Sequence, residues 1–166
     1  MKAIFTIGYE KADPKDFLAT LAQAEINLLI DVRERAMSRR KGFAKTALRE
    51  NLQSIGVDYI HEPTLGSPSE VRNELRASKN FDRFFRKYDA YLDTQTDILD
   101  RLTGYSGNVV LLCYERAPCE CHRTSVAREL SNRTGLEVRH LGVKCGLHDH
   151  RRKNTRTSPR QGLSPA

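Results

Sequence analysis

Apolar residues along this chain fall into two alternating rhythms. Short unbroken apolar runs read as buried strands, and apolar residues spaced by threes and fours read as one face of a helix. Residues 3–7 are the first run, and Asp13-Pro14-Lys15-Asp16 follows as a helix start, with a capping Asp and a Pro at the first helical position. Phe17, Leu18, Leu21 and Ala24 then share a helical face. Leu28-Leu29-Ile30-Asp31-Val32 is the second strand, and a basic loop over 34–42 leads to a helix patterned by Ala44, Ala47, Leu48, Leu52 and Ile55. Gly56 stops that helix, and residues 57–60 form a short third strand. Ser67-Pro68-Ser69-Glu70 has the form of a capping box opening a short helix. A longer helix is predicted from Phe81, Phe84, Phe85, Tyr88, Tyr91, Leu92, Ile98, Leu99 and Leu102, ending near Gly104. A strand over 109–113, a helix from about Arg123 and a last strand over 137–141 complete the pattern.

Strands alternating with helices predict an α/β fold: a single domain whose mostly parallel central sheet, of about five strands, is flanked by helices. The expected domain spans residues 1–146, and residues 147–166 are expected to be a basic, loose tail. The apolar runs are far shorter than the ~20 residues of a membrane helix. The start, MKAIFTIGYEKADPKD, becomes charged too soon for a secretory signal. With four cysteines and no export signal, the expected setting is a reducing cytoplasm. The net charge of +7 is concentrated in two places. Residues 151–166 hold Arg151, Arg152, Lys153, Arg156 and Arg160 and no acid; Arg33, Arg35, Arg39, Arg40, Lys41, Lys45 and Arg49 form an internal cluster. Either could follow a phosphate backbone, and either could be a solvated surface.

In a parallel sheet the carboxyl ends of the strands open onto one edge, the usual seat of a ligand. That rule brings together Thr6, Gly8 and Tyr9, then Asp31, Arg33, Ser38 and Arg39, then His61, and finally Glu115 through Thr124. Arginines in such a setting suit the planar fork of a phosphate or carboxylate, and Arg33, Arg39 and Arg123 are the candidate anion ligands. The free amides of a first helical turn, at Arg123 and Thr124, favour an anion as well. Asp31 either joins the site or pairs with an Arg to hold its shape. His61 and His122 are candidates to move a proton, with Glu115 or Asp31 orienting them. His140, at the end of the last strand, and the stripe carrying Tyr88 and Tyr91 are read as structural.

The cysteines leave three readings open. Cys121 could be a nucleophile beside His122 and Arg123. Cys119, Cys121 and His122 could surround a zinc ion with Cys145, His148 or His150, although the spacing matches no standard knuckle. Zinc ranks below no metal at all, and no cofactor is assigned. Otherwise Cys113 is strand core and the remaining cysteines are ordinary small residues. A Cys-x5-Arg phosphatase cradle does not fit, because the position reached from Cys113 after five intervening residues is Cys119 rather than an Arg, and Arg123 follows Cys121 by only two. The chain has no GxGxxG, GxxxxGK or HExxH, which argues against P-loop hydrolysis and zincin proteolysis. The expected ligand is therefore phosphate-bearing, a nucleotide or nucleic acid, with hydrolysis or group transfer as the reaction if there is one. A non-catalytic nucleic-acid-binding or accessory protein, or a structural-zinc module, is the alternative.

Four motifs occur in order: Thr6-Ile7-Gly8-Tyr9; Asp31-Val32-Arg33 with Ser38-Arg39; Tyr59-Ile60-His61 with Leu65-Gly66; and Leu111-Leu112-Cys113-Tyr114-Glu115 with Cys121-His122-Arg123. This set resembles the prokaryotic family called domain of unknown function 488, from about residue 3 to residue 141. The resemblance implies a compact α/β domain with a polar pocket built from these motifs, and it implies no activity. The family often carries His where this chain has Tyr9. Some relatives bear a DNA-repair label.

Overall fold

A computed structural model describes residues 1–148. The chain runs β1 (Ala3–Gly8), α1 (Pro14–Gln23), β2 (Leu28–Asp31), α2 (Lys45–Gln53), β3 (Asp58–His61), α3 (Ser69–Ser78), α4 (Phe81–Leu92), α5 (Thr96–Thr103), β4 (Asn108–Cys113), α6 (Arg123–Thr134) and β5 (Val138–Leu141). Short 3-10 turns occupy Pro63–Leu65 and Pro118–Glu120. The five strands form one sheet in the order β3-β2-β4-β1-β5, with every pair parallel. The fold is α/β, as the alternating pattern predicts.

Side chains of a strand alternate between the two faces of a sheet, and the core divides accordingly. Ile4, Leu28, Ile30, Val109 and Leu111 face Tyr88, Leu92, Leu99, Leu102, Val126 and Leu130 of α4, α5 and α6. Phe5, Ile7, Leu29, Val110 and Leu112 face Phe17 and Leu21 of α1 and Leu48 and Leu52 of α2. This gives three layers with helices on both faces. From β2 the chain leaves through α2 towards β3; from the adjacent β4 it leaves through α6 towards β5, at the opposite edge and over the opposite face. Divergence of neighbouring connections opens a crevice at the carboxyl ends of those two strands.

Two local expectations are corrected. The single helix predicted across Phe81 to Leu102 is two helices, α4 and α5, broken at Asp93-Thr94-Gln95. The Thr94 hydroxyl donates to the Tyr91 carbonyl at 2.6 Å, a local bond that competes with helix continuation. Ser67 and Ser69 form no capping box: Pro68 is the N-cap residue of α3, Ser69 its first residue, and no side chain caps the helix. Ser69 instead donates to the Glu34 carboxylate at 3.2 Å, and Ser67 is buried. Of the expected tail, Leu147 and His148 belong to the described part. The His148 backbone N–H and Nδ1 meet the buried Asp16 carboxylate at 3.0 and 2.8 Å. The remainder of the tail expectation, and His150 with it, lies outside the described residues. No helix among the described residues is long and apolar enough to cross a membrane.

Candidate functional site

At the end of β2, Asp31 is fully buried, and a lone buried carboxylate would be costly without partners. Its Oδ1 accepts from the Arg33 backbone N–H at 3.2 Å and from Nε at 2.8 Å; its Oδ2 accepts from Arg33 Nη2 at 2.5 Å and from the Tyr59 hydroxyl at 2.8 Å. Arg33 Nη1 donates to the Tyr9 hydroxyl at 2.9 Å and to the Phe43 carbonyl at 3.0 Å. Burial works to lower the Arg33 pKa, and the bonds and charge of Asp31 override it, leaving the guanidinium held more firmly in its charged form. Burial, with Asp31 adding to it, pushes the Tyr59 hydroxyl up. Four of the five guanidinium N–H donors of Arg33 are thus engaged inside the protein. Of the two roles open to Asp31, this geometry matches the shape-holding pair.

His61 meets the same loop from β3. Its Nε2–H donates to the Arg33 carbonyl at 2.9 Å, and its Nδ1 faces Lys45 Nζ at 3.3 Å. It stands outside the cleft lining, as do Asp31, Thr6, Gly8, Cys121, Arg123 and Thr124. Thr6 shares a 2.7 Å hydrogen bond with His140 across the β1–β5 pair. Gly8 has a close-approach role: a Cβ there would overlap the Glu115 carbonyl, so the absence of a side chain lets the loop after β4 cross the end of β1. Gly66 does the same for the backbone of Glu34.

The expectation that Arg123 stands at a helix start clear of the core is overturned. It is fully buried, with Nη1 donating to the Glu115 carbonyl and Nη2 to the Arg116 carbonyl at 3.1 Å. Its long side chain folds back under the loop, where two carbonyls need donors. Thr124 holds the same loop by donating to the Pro118 carbonyl at 2.6 Å.

The crevice between β2 and β4 is a cleft of about 620 Å³. Of the candidate residues it brings together Tyr9, Arg33, Ser38, Arg39, Glu115 and His122. Arg35, Arg40, Arg72 and Arg76 also line it, and none of these was singled out for the site from the sequence. Two are engaged: Arg72 pairs with Glu34 at 2.5 Å, and Arg40 donates to the Ala12 carbonyl at 2.7 Å. Ser38 accepts from the Arg40 backbone N–H at 3.1 Å. Among the described residues, the guanidinium groups of Arg35, Arg39 and Arg76 have neither salt bridge nor hydrogen bond, and all three residues are exposed. Beside them Met37 is 76% and Tyr114 44% exposed, the two large apolar side chains left open to solvent among the described residues. Arg72 and Arg76 lie four apart on α3, a spacing that places both on one helix face and could have shown them.

The floor of the cleft is built by the end of β4 and the start of α6. Cys113 donates its thiol hydrogen to Glu115 Oε2 at 3.0 Å, and its sulfur lies 3.8 Å from His122 Nδ1. The His122 Nε2–H donates to the Val32 carbonyl at 2.9 Å, and the Tyr88 ring meets the imidazole edge-on, centroids 5.1 Å apart. Burial lowers the His122 pKa, but Cys121, the Val32 carbonyl and Glu115 together raise it overall. Burial works to raise Glu115, and the Cys113 thiol leads the groups that bring it below the usual carboxylate range. Cys121 is fully buried behind the floor, and burial pushes its thiol well up, which disfavours the nucleophilic thiolate. The zinc grouping that the ligand types left open does not assemble among the described residues. Cys119 and Cys145 are exposed, and His148 is held at Asp16, whereas Cys121 and His122 join Cys113.

Fold and site together define an all-parallel α/β protein with an arginine-lined cleft at a divergence of its central strands. The family model for domain of unknown function DUF488 matches residues 13–130, and the chain belongs to that family. The match begins after β1, so the Thr6-Ile7-Gly8-Tyr9 motif lies before it. No curated protein and no solved structure shows significant similarity to the chain.

Proposed function

We propose that the cleft binds a phosphate-bearing ligand with an aromatic base, a nucleotide or a nucleic-acid strand. The observation that carries this reading is the set Arg35, Arg39 and Arg76, exposed on one cleft and engaged in no salt bridge or side-chain hydrogen bond among the described residues, next to an exposed Tyr114 ring. Guanidinium groups with unused donors suit phosphate oxygens, and an exposed aromatic ring suits a base face. Arg33 and Arg72, each held by an acid, frame the cleft and keep the loop over 33–40 in place.

The test is calorimetric titration of the full chain with inorganic phosphate, a nucleoside, a nucleoside monophosphate and a short oligonucleotide. The monophosphate is expected to bind more tightly than phosphate or nucleoside alone. Arg39→Ala and Arg76→Ala are each expected to weaken it about tenfold, as loss of one charge-assisted contact of ~1.5 kcal/mol implies. Equal binding by wild type and both variants sinks the reading. Binding of oligonucleotide alone, steeply salt-dependent and indifferent to Arg76→Ala, would move recognition to the basic stretch over 33–49 and favour an accessory nucleic-acid-binding protein.

A further inference from the structure

We propose that Cys113, Cys121 and His122 form a zinc site in the floor of the cleft, with Glu115, bonded to Cys113, beside its open fourth position. This is independent of what the arginines above it hold. The two sulfurs and one imidazole nitrogen lie within 4.8 Å of one another, all three residues buried. Tetrahedral zinc, with bonds of about 2.0–2.3 Å to nitrogen and sulfur, sets its ligand atoms roughly 3.3–3.8 Å apart. Cys113 Sγ and His122 Nδ1 already stand 3.8 Å apart.

The second observation is the orientation of His122. Its Nε2–H is committed to the Val32 carbonyl, so the lone pair of Nδ1 is directed at the cysteine sulfur. Metal-binding histidines are held in this way, one nitrogen donating to a carbonyl and the other facing the ion. The ligand-bearing positions are also rigidly placed. Cys113 ends a central strand, His122 precedes α6, and the intervening loop is anchored through Arg123 and Thr124.

Protonation and charge balance follow from the donors. Each thiol releases its proton to solvent as its Zn–S bond forms, so two protons leave per ion. Loss of the Cys113 proton also removes the hydrogen bond to Glu115, freeing Oε2 to turn onto the metal or to yield to water. Two thiolates and an imidazole select zinc over magnesium or calcium, which take oxygen donors. Glu115 lines the cleft and Cys121 does not, so the exchangeable position faces the ligand space.

The test uses the full chain, reduced and metal-stripped, titrated with Co²⁺ alone and then with Zn²⁺. One Co²⁺ per chain is expected, with thiolate-to-cobalt charge-transfer absorption in the near ultraviolet, bleached by one equivalent of Zn²⁺. Cys113→Ser and Cys121→Ser are expected to lose the band and stoichiometric uptake, while a combined Cys119→Ser, Cys145→Ser variant keeps both. The wild-type spectrum decides thiolate ligation even where a serine variant fails to fold. No charge-transfer band in the reduced wild type overturns the proposal. So does a band that survives in Cys113→Ser and Cys121→Ser, or one that disappears in the Cys119, Cys145 variant.

Discussion

At the scale of single residues, the difference between Arg33, Arg39 and Arg123 is the most instructive result. All three stand in the sequence as equivalent anion ligands. In the structure, Arg33 is paired with Asp31, Arg123 is buried against two backbone carbonyls, and Arg39 remains exposed on the cleft. Sequence spacing shows that an Arg is near a strand end; it does not show which group its guanidinium meets. Arg123→Ala would leave the Glu115 and Arg116 carbonyls without their donor and empty the space of a fully buried side chain. Hydrogen bonds to a charged group contribute about 1.5–3 kcal/mol each and the emptied space adds to their loss, so the variant is expected to lose about 3 kcal/mol or more of stability in urea denaturation. Arg39→Ala should sit within ~0.5 kcal/mol of wild type, as exposed substitutions usually do. A stable Arg123→Ala protein would mean that the loop after β4 holds its shape without that anchor. Cys113 escaped the sequence reading for a related reason: the last residue of an apolar run looks like core until its neighbours in space are known.

At the scale of elements, the strands were legible because each apolar run is short and bounded by polar or turn residues, and the helices because their apolar spacing is regular. The break between α4 and α5 was not legible: Leu92 and Leu99 keep helical spacing across it while Thr94 caps the first segment locally. The contact of the described C-terminal residues with α1 also had no signal in the sequence, since Asp16 reads there as a first-turn acid. Its backbone bond from His148, helped by the imidazole and by the Gly146 N–H, holds the Asp16 carboxyl down at about 2, against the resistance of burial. A carboxylate depressed in the folded state contributes stability above its unfolded value of 3.8, and that contribution fades as pH falls towards 2. Wild type should therefore lose thermal stability between about pH 4 and pH 2, and Asp16→Asn should show a flatter profile there. Parallel profiles would show that Asp16 gains nothing from the residues around it.

At the scale of the whole molecule, the sheet order β3-β2-β4-β1-β5 explains why one crevice collects the polar groups. The sequence implies a parallel sheet and hence a shared edge, but only strand order places the divergence between β2 and β4. That is why β1 and β3 residues such as Thr6 and His61 were expected at the cleft and instead support its walls. Charge is a second molecular property. Residues 151–166 hold five cationic residues and no acid, a concentration of charge that attracts polyanions at long range. A chain ending at residue 148 should bind a nucleoside monophosphate as tightly as the full chain while losing salt-sensitive affinity for oligonucleotides, read from titrations at several salt concentrations. Equal losses for both ligands would join tail and cleft in one surface. The loop over 114–120 is fastened by its main chain: Arg123 and Thr124 grip its carbonyls, the Glu10 N–H donates to the Tyr114 carbonyl, and Gly8 makes room for it. Shape held through carbonyls does not depend on what the outward side chains are. Exchanging Glu120 therefore leaves these main-chain anchors in place, so the face that the loop presents can change while its path stays the same.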